Sequence, residues 1–235
     1  IRMAVARAAD LEQVQDYQLP MVQEALVVGG GVAGMTAALN IADQGFRVHL
    51  LEASDRLGGN AWRIHETMSG QAVQPHIESL INEVTSSDLI KVYYGAAIQD
   101  VQGFIGNFKT AVSLNGAAPL TIEPGVAEIA VGASEWKPDI YGYGHDPRIR
   151  TQLEMSDAIH AQDPAVLKAQ TTVFIQCVGS RCEERPWCSK VCCNHAVRDA
   201  IAIKEANPRG TVFIFYRDLR TFGLNELYYE KARRL

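Results

Sequence analysis

The sequence contains no run of about 18 apolar residues, so nothing in it reads as a membrane-spanning helix. It has no excess of positive charge either. Its 22 Lys and Arg stand against 27 Asp and Glu, a formal net charge of −5, which argues against a nucleic-acid partner. No basic start leads into an apolar stretch and a small-residue cleavage site, so no secretory leader is visible and a cytoplasmic setting is expected. An initiating Met is missing as well. The chain opens on Ile1-Arg2-Met3, which reads as a processed chain or a piece of a longer polypeptide. Low complexity is absent, and 47% of residues are hydrophobic, which excludes a disordered tail or a collagen-like rod. Cysteine is missing from all but one 17-residue window, which holds Cys177, Cys182, Cys188, Cys192 and Cys193. A disulfide framework would spread its bridges and favour an even count. Clustering points instead to a metal site in a reducing compartment. The C-x2-C knuckles usual for zinc are lacking too, so an iron–sulfur cluster on four of the five thiolates is the better physical reading, with zinc as the alternative.

The patterning that is present is that of an α/β protein. Glu24–Val28 is a short apolar strand, and Met35, Ala38, Leu39, Ile41 and Ala42 recur at helical spacing. Gly45 stands where a helix ends, and Phe46–Leu51 is a second strand, so the unit is strand–turn–helix–strand with parallel strands. Further on, Gln74–Val84 reads as a helix, Ile90–Tyr94 as a strand and 98–114 as a hairpin turning at Gly103, Gly106 and Asn107. Glu128–Val131 is expected to be a buried strand, 134–150 an irregular segment and Met155–Ala161 a short helix. A second strand–helix–strand pattern uses Thr171–Val178, Val191–Ala206 and Thr211–Tyr216, with Leu227–Arg234 as a closing helix. The expected division is a linker over 1–23, a dinucleotide-binding domain over 24–165 and an incomplete second unit over 166–235.

Gly29-x-Gly31-x-x-Gly34 stands between the first strand and the helix. The first glycine allows the tight turn, the second lets backbone approach a pyrophosphate and the third lets helix pack on strand. The helix start offers free N–H groups to phosphate. Glu52 ends the second strand, where its carboxylate can accept hydrogen bonds from a ribose diol and would repel a 2′-phosphate. His65, His76, His145 and His160 read as ordinary surface or core histidines. His195 stands beside the cysteine motif, and Asp218 with Arg220 reads as a salt-bridged turn.

Glu52-x5-Gly58-Gly59 resembles the flavoproteins with two dinucleotide-binding domains, the thioredoxin-reductase-like class. Ala130-Val131-Gly132 resembles their second fingerprint, with Val131 in place of the usual Thr. The resemblance implies FAD rather than NAD as the first cofactor. It extends the contacting set from Gly29, Gly31, Gly34 and Glu52 to Val32, Ala33, Ala53, Arg56, Gly58, Gly59, Asn60, Ile98, Ala130, Val131 and Gly132.

Gln176-Cys177-Val178-Gly179-Ser180-Arg181, followed by Trp187-Cys188-Ser189-Lys190-Val191-Cys192-Cys193, resembles the family of heterodisulfide reductase A subunits. Tyr216–Gly223 and the opening Ile1–Ala6 resemble it as well. The resemblance implies an electron-transfer flavoprotein carrying FAD and a [4Fe–4S] cluster. It implies Cys177, Cys188, Cys192 and Cys193 as ligands with Cys182 free, and other iron–sulfur subunits as partners, with a homodimer also compatible. No catalytic side chain is assigned. The chain departs from the family in having no inserted ferredoxin-like region, Asn60 where many members have His, and Arg198 where many have Lys facing the flavin. A guanidinium does not readily give up a proton. The later Gly-Asp segment that returns to the flavin in this class is also missing, so the chain reads as part of a longer polypeptide or as completed by another one. The cysteine turn takes the place of a second glycine loop, so NAD(P)H oxidation by this region is not expected. A flavin disulfide reductase using Cys192 or Cys193, or a Rossmann scaffold with a zinc site, are the competing readings.

Overall fold

The computed structural model of the protein describes residues 1–11 and 20–235. Much of the connector expected before Pro20 lies outside the described residues. Ahead of it, α1 (Arg2–Ala9) is helical and exposed throughout.

β1 (Glu24–Val28), α2 (Val32–Asp43), β2 (Arg47–Leu51), a 3-10 turn (Gly59–Arg63), α3 (Gln74–Ser86) and β3 (Ile90–Tyr93) follow in order. A meander of β4 (Ala96–Phe104), β5 (Asn107–Leu114) and β6 (Leu120–Ile122) comes next, and β7 (Val126–Ile129) returns to the far side of β1. The first sheet is parallel, in the order β3-β2-β1-β7. Its two faces are covered by different layers. Met35, Ala38, Ile77 and Val84 of the helices close on Val27, Val48 and Leu50. On the other side Ala96, Val112 and Ile122 of the meander close on Leu26, Leu51 and Tyr93. Burial on both faces is why β1 reads as a continuous apolar run and not as an alternation. Each fully buried aliphatic side chain there contributes about 1.5–3 kcal/mol.

The second unit contains α4 (Gln152–His160), α5 (Pro164–Leu167), β8 (Thr171–Ile175), α6 (Cys192–Ala206), β9 (Thr211–Phe215), a 3-10 turn (Gly223–Asn225) and α7 (Glu226–Arg234). β8 and β9 are parallel neighbours joined through α6. Ala196, Ala200 and Ile203 of α6 pack on Phe174, together with Ala158 of α4 and Val166 of α5. Helix α4 and the start of α5, which the sequence assigns to the first unit, thus share the core of the second. Thr151 starts α4 through a capping box with Glu154.

Two sequence expectations need correction. The strand expected at Glu128–Val131 is Val126–Ile129, and all four of its residues are exposed. It pairs with β1 alone, so among the described residues it is an edge and not an interior strand. The strand expected to run to Val178 stops at Ile175, because Cys177 takes a left-handed backbone (φ 65°) that breaks the extended ladder. The three-residue β6 is too short to leave a period-2 pattern and has no counterpart in the sequence reading.

Candidate cofactor sites

The glycine loop is built against three other segments. Gly29 donates its N–H to Leu51 O (2.8 Å), which ties the turn to the end of β2. A Cβ at Gly34 would collide with the Gly29 carbonyl oxygen, so α2 can lie this close to β1 only with glycine there. A Cβ at Gly31, by contrast, would meet nothing within 4 Å, and this is the open side on which backbone can face a phosphate. Gly31 is the N-cap of α2 and has no side-chain cap. The N–H groups of Val32, Ala33 and Gly34, in the first turn, have no intrahelical acceptor in an α-helix.

Gly58 and Gly59 pack directly on this loop. Gly58 donates to Gly30 O (2.8 Å) and pairs as an isolated bridge with Gly31. Its φ of 110° and the Trp62 indole against its Cα both require glycine. Trp62 Nε1 in turn donates to Leu57 O (2.7 Å), and the Arg56 guanidinium lies 5.5 Å from the Trp62 ring. Ala130 N–H donates to Val28 O (2.8 Å), which sets Ala130–Gly132 against the other side of the loop. Asn60 Nδ2 donates to Ala133 O (2.5 Å) and so links the second and third segments. Gly29–Gly34, Gly58–Asn60 and Ala130–Gly132, separate in the sequence, therefore converge.

Glu52 is 9% exposed. Its Oε2 accepts the Gly30 N–H (2.9 Å), and its Oε1 accepts both the N–H (2.7 Å) and the hydroxyl (2.8 Å) of Ser54. Three of about four lone-pair positions are thus filled from within. The carboxylate is fixed in place with acceptor capacity left on Oε2. The roles of Gly30 and Ser54 are not readable from the sequence, because neither belongs to a spacing rule. Ala53 and Arg56 are exposed beside Glu52. Ile98, 37% exposed, follows Ala96, whose N–H donates to Glu52 O (2.9 Å).

The cysteines gather at the end of β8 and the start of α6. Cys192 and Cys193 occupy the first turn of α6, and Cys188 lies in the loop before it, its sulfur accepting the Lys190 N–H (3.3 Å). All five thiols are free. Burial pushes the Cys193 thiol up, and the nearby Cys192 and Cys177 act in the same direction, so these three sulfurs share one neighbourhood. Cys182 sits in the turn closed by Arg181 N–H to Trp187 O (3.2 Å), and its own N–H donates to Arg185 O (3.2 Å). Arg181 pairs with Asp218, and Arg220 Nε donates to Asp218 Oδ2 (2.6 Å), the salt-bridged turn expected from the sequence. Among the described residues, no three Cys, His, Asp or Glu side chains are closed around one metal-binding point. In donor chemistry the site fits an iron–sulfur cluster: four thiols on a strand end, a loop and a helix start.

Trp136, 39% exposed, lies against the cysteine loop. Its indole packs on Gly179, two residues after Cys177, and the Arg185 guanidinium lies 4.8 Å from its ring. Nothing in its sequence surroundings marks it.

Arg198 is held in a polar network between the two units. Its guanidinium donates to Asp199 Oδ1 (2.7 Å), Ser156 Oγ (2.7 Å) and Glu66 O (2.8 Å), while Ser156 donates to Asp199 Oδ2 (2.8 Å). The Arg198 charge is therefore balanced by a buried carboxylate, where the family resemblance implies a cation facing the flavin. Beside it, His65 and His160 stack at 3.9 Å with rings 2° from parallel. His65 Nε2 and the Arg63 guanidinium both bind Asp157, at 2.9 and 2.8 Å. The 95-residue separation of the histidines hides this pairing in the sequence. Burial pushes the His195 imidazole down, and Arg198 adds to that, against Asp199 and Glu135.

Burial pushes the Asp157 carboxyl up, but hydrogen bonds from Arg63 and His65 outweigh it and hold the group below its ordinary value. A depressed carboxylate stabilises the fold fully above its unfolded pKa of about 3.9, and that contribution fades as pH falls through the lower folded value. The side chain is 40% exposed, so the contribution is about 0.2–1 kcal/mol. Asp157→Asn is expected to flatten the acid limb of stability, measured by urea melts between about pH 2 and 5. An unchanged acid limb would remove Asp157 from this role.

Parallel sheet, glycine loop, acidic strand end and inserted meander define a Rossmann-like fold of the kind seen in dinucleotide-binding flavoproteins. The family described as NAD(P)-binding Rossmann-like domain matches residues 27–78. Thioredoxin reductase from T. acidophilum superposes with a TM-score of 0.56 at 14% identity, covering 89% of this chain and 62% of that one. The HOCl-induced flavoprotein disulfide reductase RclA from Escherichia coli gives 0.50 at 16%, covering 90% and 47%. These likenesses concern the fold. In sequence the chain is 28% identical to an iron-sulfur A subunit of the CoB–CoM heterodisulfide reductase of Methanopyrus kandleri, over 100% of this chain and 49% of that protein. It is 27% identical to the A subunit of the H2:CoB-CoM heterodisulfide, ferredoxin reductase of Methanothermobacter marburgensis, over 99% and 49%. The chain is a relative of the heterodisulfide reductase A subunits and spans about half their length. The first alignment runs over 330 positions against 235 residues here, so that relative carries stretches this chain lacks.

Proposed function

We propose that this chain is an electron-transfer oxidoreductase module of heterodisulfide reductase A type. In this reading it binds FAD at the glycine loop and a [4Fe–4S] cluster on Cys177, Cys188, Cys192 and Cys193, and works within a complex of iron–sulfur subunits. The observation that carries the reading is the double convergence: three glycine-bearing segments on the open side of Gly31, and Cys177 just past the end of β8 with Cys192 and Cys193 in the first turn of α6. When bound, FAD supplies two-electron chemistry and the cluster one-electron transfer.

The chain's own residues supply position and field. The free N–H groups at the start of α2 face the pyrophosphate, and Gly31 lets backbone approach it. Glu52, already locked by Gly30 and Ser54, offers its remaining acceptor capacity to the adenosine ribose. Cys192 and Cys193 present their sulfurs from the first turn of α6, where burial holds the Cys193 thiol up.

Glu52→Gln keeps the shape and removes the charge. A charge-assisted hydrogen bond is worth about 1.5–3 kcal/mol, so FAD affinity is expected to fall roughly 10- to 100-fold, as read by flavin fluorescence. Unchanged affinity would detach Glu52 from the ribose.

For the function itself, the test is anaerobic titration of the loaded protein with dithionite. Uptake of about three electrons per chain is expected, two at the flavin and one at the cluster. NADH is expected to leave the flavin oxidised. Uptake of two electrons only, or stoichiometric bleaching by NADH, would overturn the reading.

A further inference from the structure

Unsatisfied polar capacity is concentrated in one place. Among the described residues, four buried side-chain atoms lack a hydrogen-bond partner, and they belong to Gln176, Arg181, Asn194 and Asp218. Arg181 and Asp218 face each other as an ion pair. That leaves two amide oxygens, Gln176 Oε1 and Asn194 Oδ1. Each belongs to a residue adjacent in sequence to a candidate ligand, Cys177 and Cys193 respectively. A buried amide without a partner costs stability, and folded proteins rarely keep one.

Gln176 is the better placed of the two. Its backbone N–H extends the ladder by donating to Phe215 O (2.8 Å), so it continues the line of β8. Along that strand Thr172 and Phe174 are the buried positions, and Phe174 packs on Ala196 and Ala200 of α6. Strand alternation puts Gln176, 9% exposed, on the same face. It lies there at the end of the strand, where the first turn of α6 presents the buried Cys193. The Gln176 amide thus sits on the inner side of the sulfur neighbourhood.

An amide exchanges its oxygen and nitrogen by a half-turn of its last torsion. A position where the oxygen finds no donor is one where an N–H can find an acceptor, and thiolate and sulfide sulfurs are acceptors. We infer that the Gln176 side chain donates an N–H to a sulfur of the cluster and thereby sets its reduction potential, as a positioning residue behind the Cys177 ligand. This rests on the proposed cluster site. Such a hydrogen bond stabilises the more negative, reduced state. In the metal-free protein the same amide has no partner to lose.

The two states therefore respond differently to Gln176→Leu. The metal-free variant is expected to be at least as stable to urea as the unsubstituted chain, since an orphaned polar group has been removed. The cluster-loaded variant is expected to keep its iron and show a lower midpoint potential in an EPR-monitored titration. Should the leucine variant fail to load, Gln176→Glu keeps the volume, removes the donors at neutral pH and is expected to lower the potential further. An unsubstituted protein that binds no iron overturns both this inference and the reading beneath it. A loaded protein whose potential moves in neither variant overturns the inference alone, as does a leucine variant that loses metal-free stability with its potential unchanged.

Discussion

Serine at any one of Cys177, Cys188, Cys192 or Cys193 is expected to strip or destabilise the cluster, whereas Cys182→Ser is expected to leave iron at the level of the unsubstituted chain. The reasons are positional. Cys192 and Cys193 lie in the first turn of α6, Cys177 is held out of the strand by its left-handed backbone, and Cys188 sits in the loop between them. A serine hydroxyl is a far poorer ligand for iron than a thiolate, so each loss is expected to be near complete. Cys182 belongs to a separate turn, closed by Arg181 N–H to Trp187 O. Iron and acid-labile sulfide counts on the five anaerobic variants decide the matter. Iron lost from the Cys182 variant, together with full retention in one of the other four, would overturn the ligand set.

Gly34→Ala is expected to have the second large effect, and the contrast with Gly31→Ala gives it meaning. The added Cβ at Gly34 meets the Gly29 carbonyl oxygen, which is backbone and cannot swing aside. Helix α2 must therefore lift from β1. Overpacking of this kind costs roughly 3 kcal/mol, equivalent to a melting temperature lower by roughly 6–12 °C in a chain of this size, with flavin binding lost alongside. Gly31 has open space and an ordinary φ of −75°. Alanine there is expected to leave the melting temperature intact and weaken FAD binding alone, because its methyl enters the space meant for phosphate. Equal melting temperatures in the two variants would refute this division of labour.

How much of the molecule is legible in its sequence follows from the range of the forces involved. The glycine loop, Glu52 and the cysteine motif depend on spacing along a short stretch, and spacing is visible in sequence. The two-face burial of β1 is legible as a continuous apolar run for the same reason. The edge character of Val126–Ile129 is not, because an exposed Val, Ala and Ile in an edge strand carry the same letters as a buried strand. Distant partnerships are invisible. Neither the His65–His160 stack nor the Trp136–Gly179 contact leaves a local pattern, and the Arg198–Ser156–Asp199 network forms only once α4 and α6 have packed. Arg198 shows the limit most plainly. Its position on the helix that follows the cysteines is legible, but its charge is committed to Asp199, its immediate neighbour in the chain.

The central claim is that one chain holds a flavin at the glycine loop and a four-iron cluster at the β8–α6 edge. The most direct test is the composition of the protein purified without oxygen: FAD, iron and acid-labile sulfide per chain, read beside its absorption spectrum. The account predicts about one FAD with about four iron and four sulfide, and a broad sulfur-to-iron absorption beneath the flavin bands. Zinc in place of iron, or flavin with no sulfide, would contradict it.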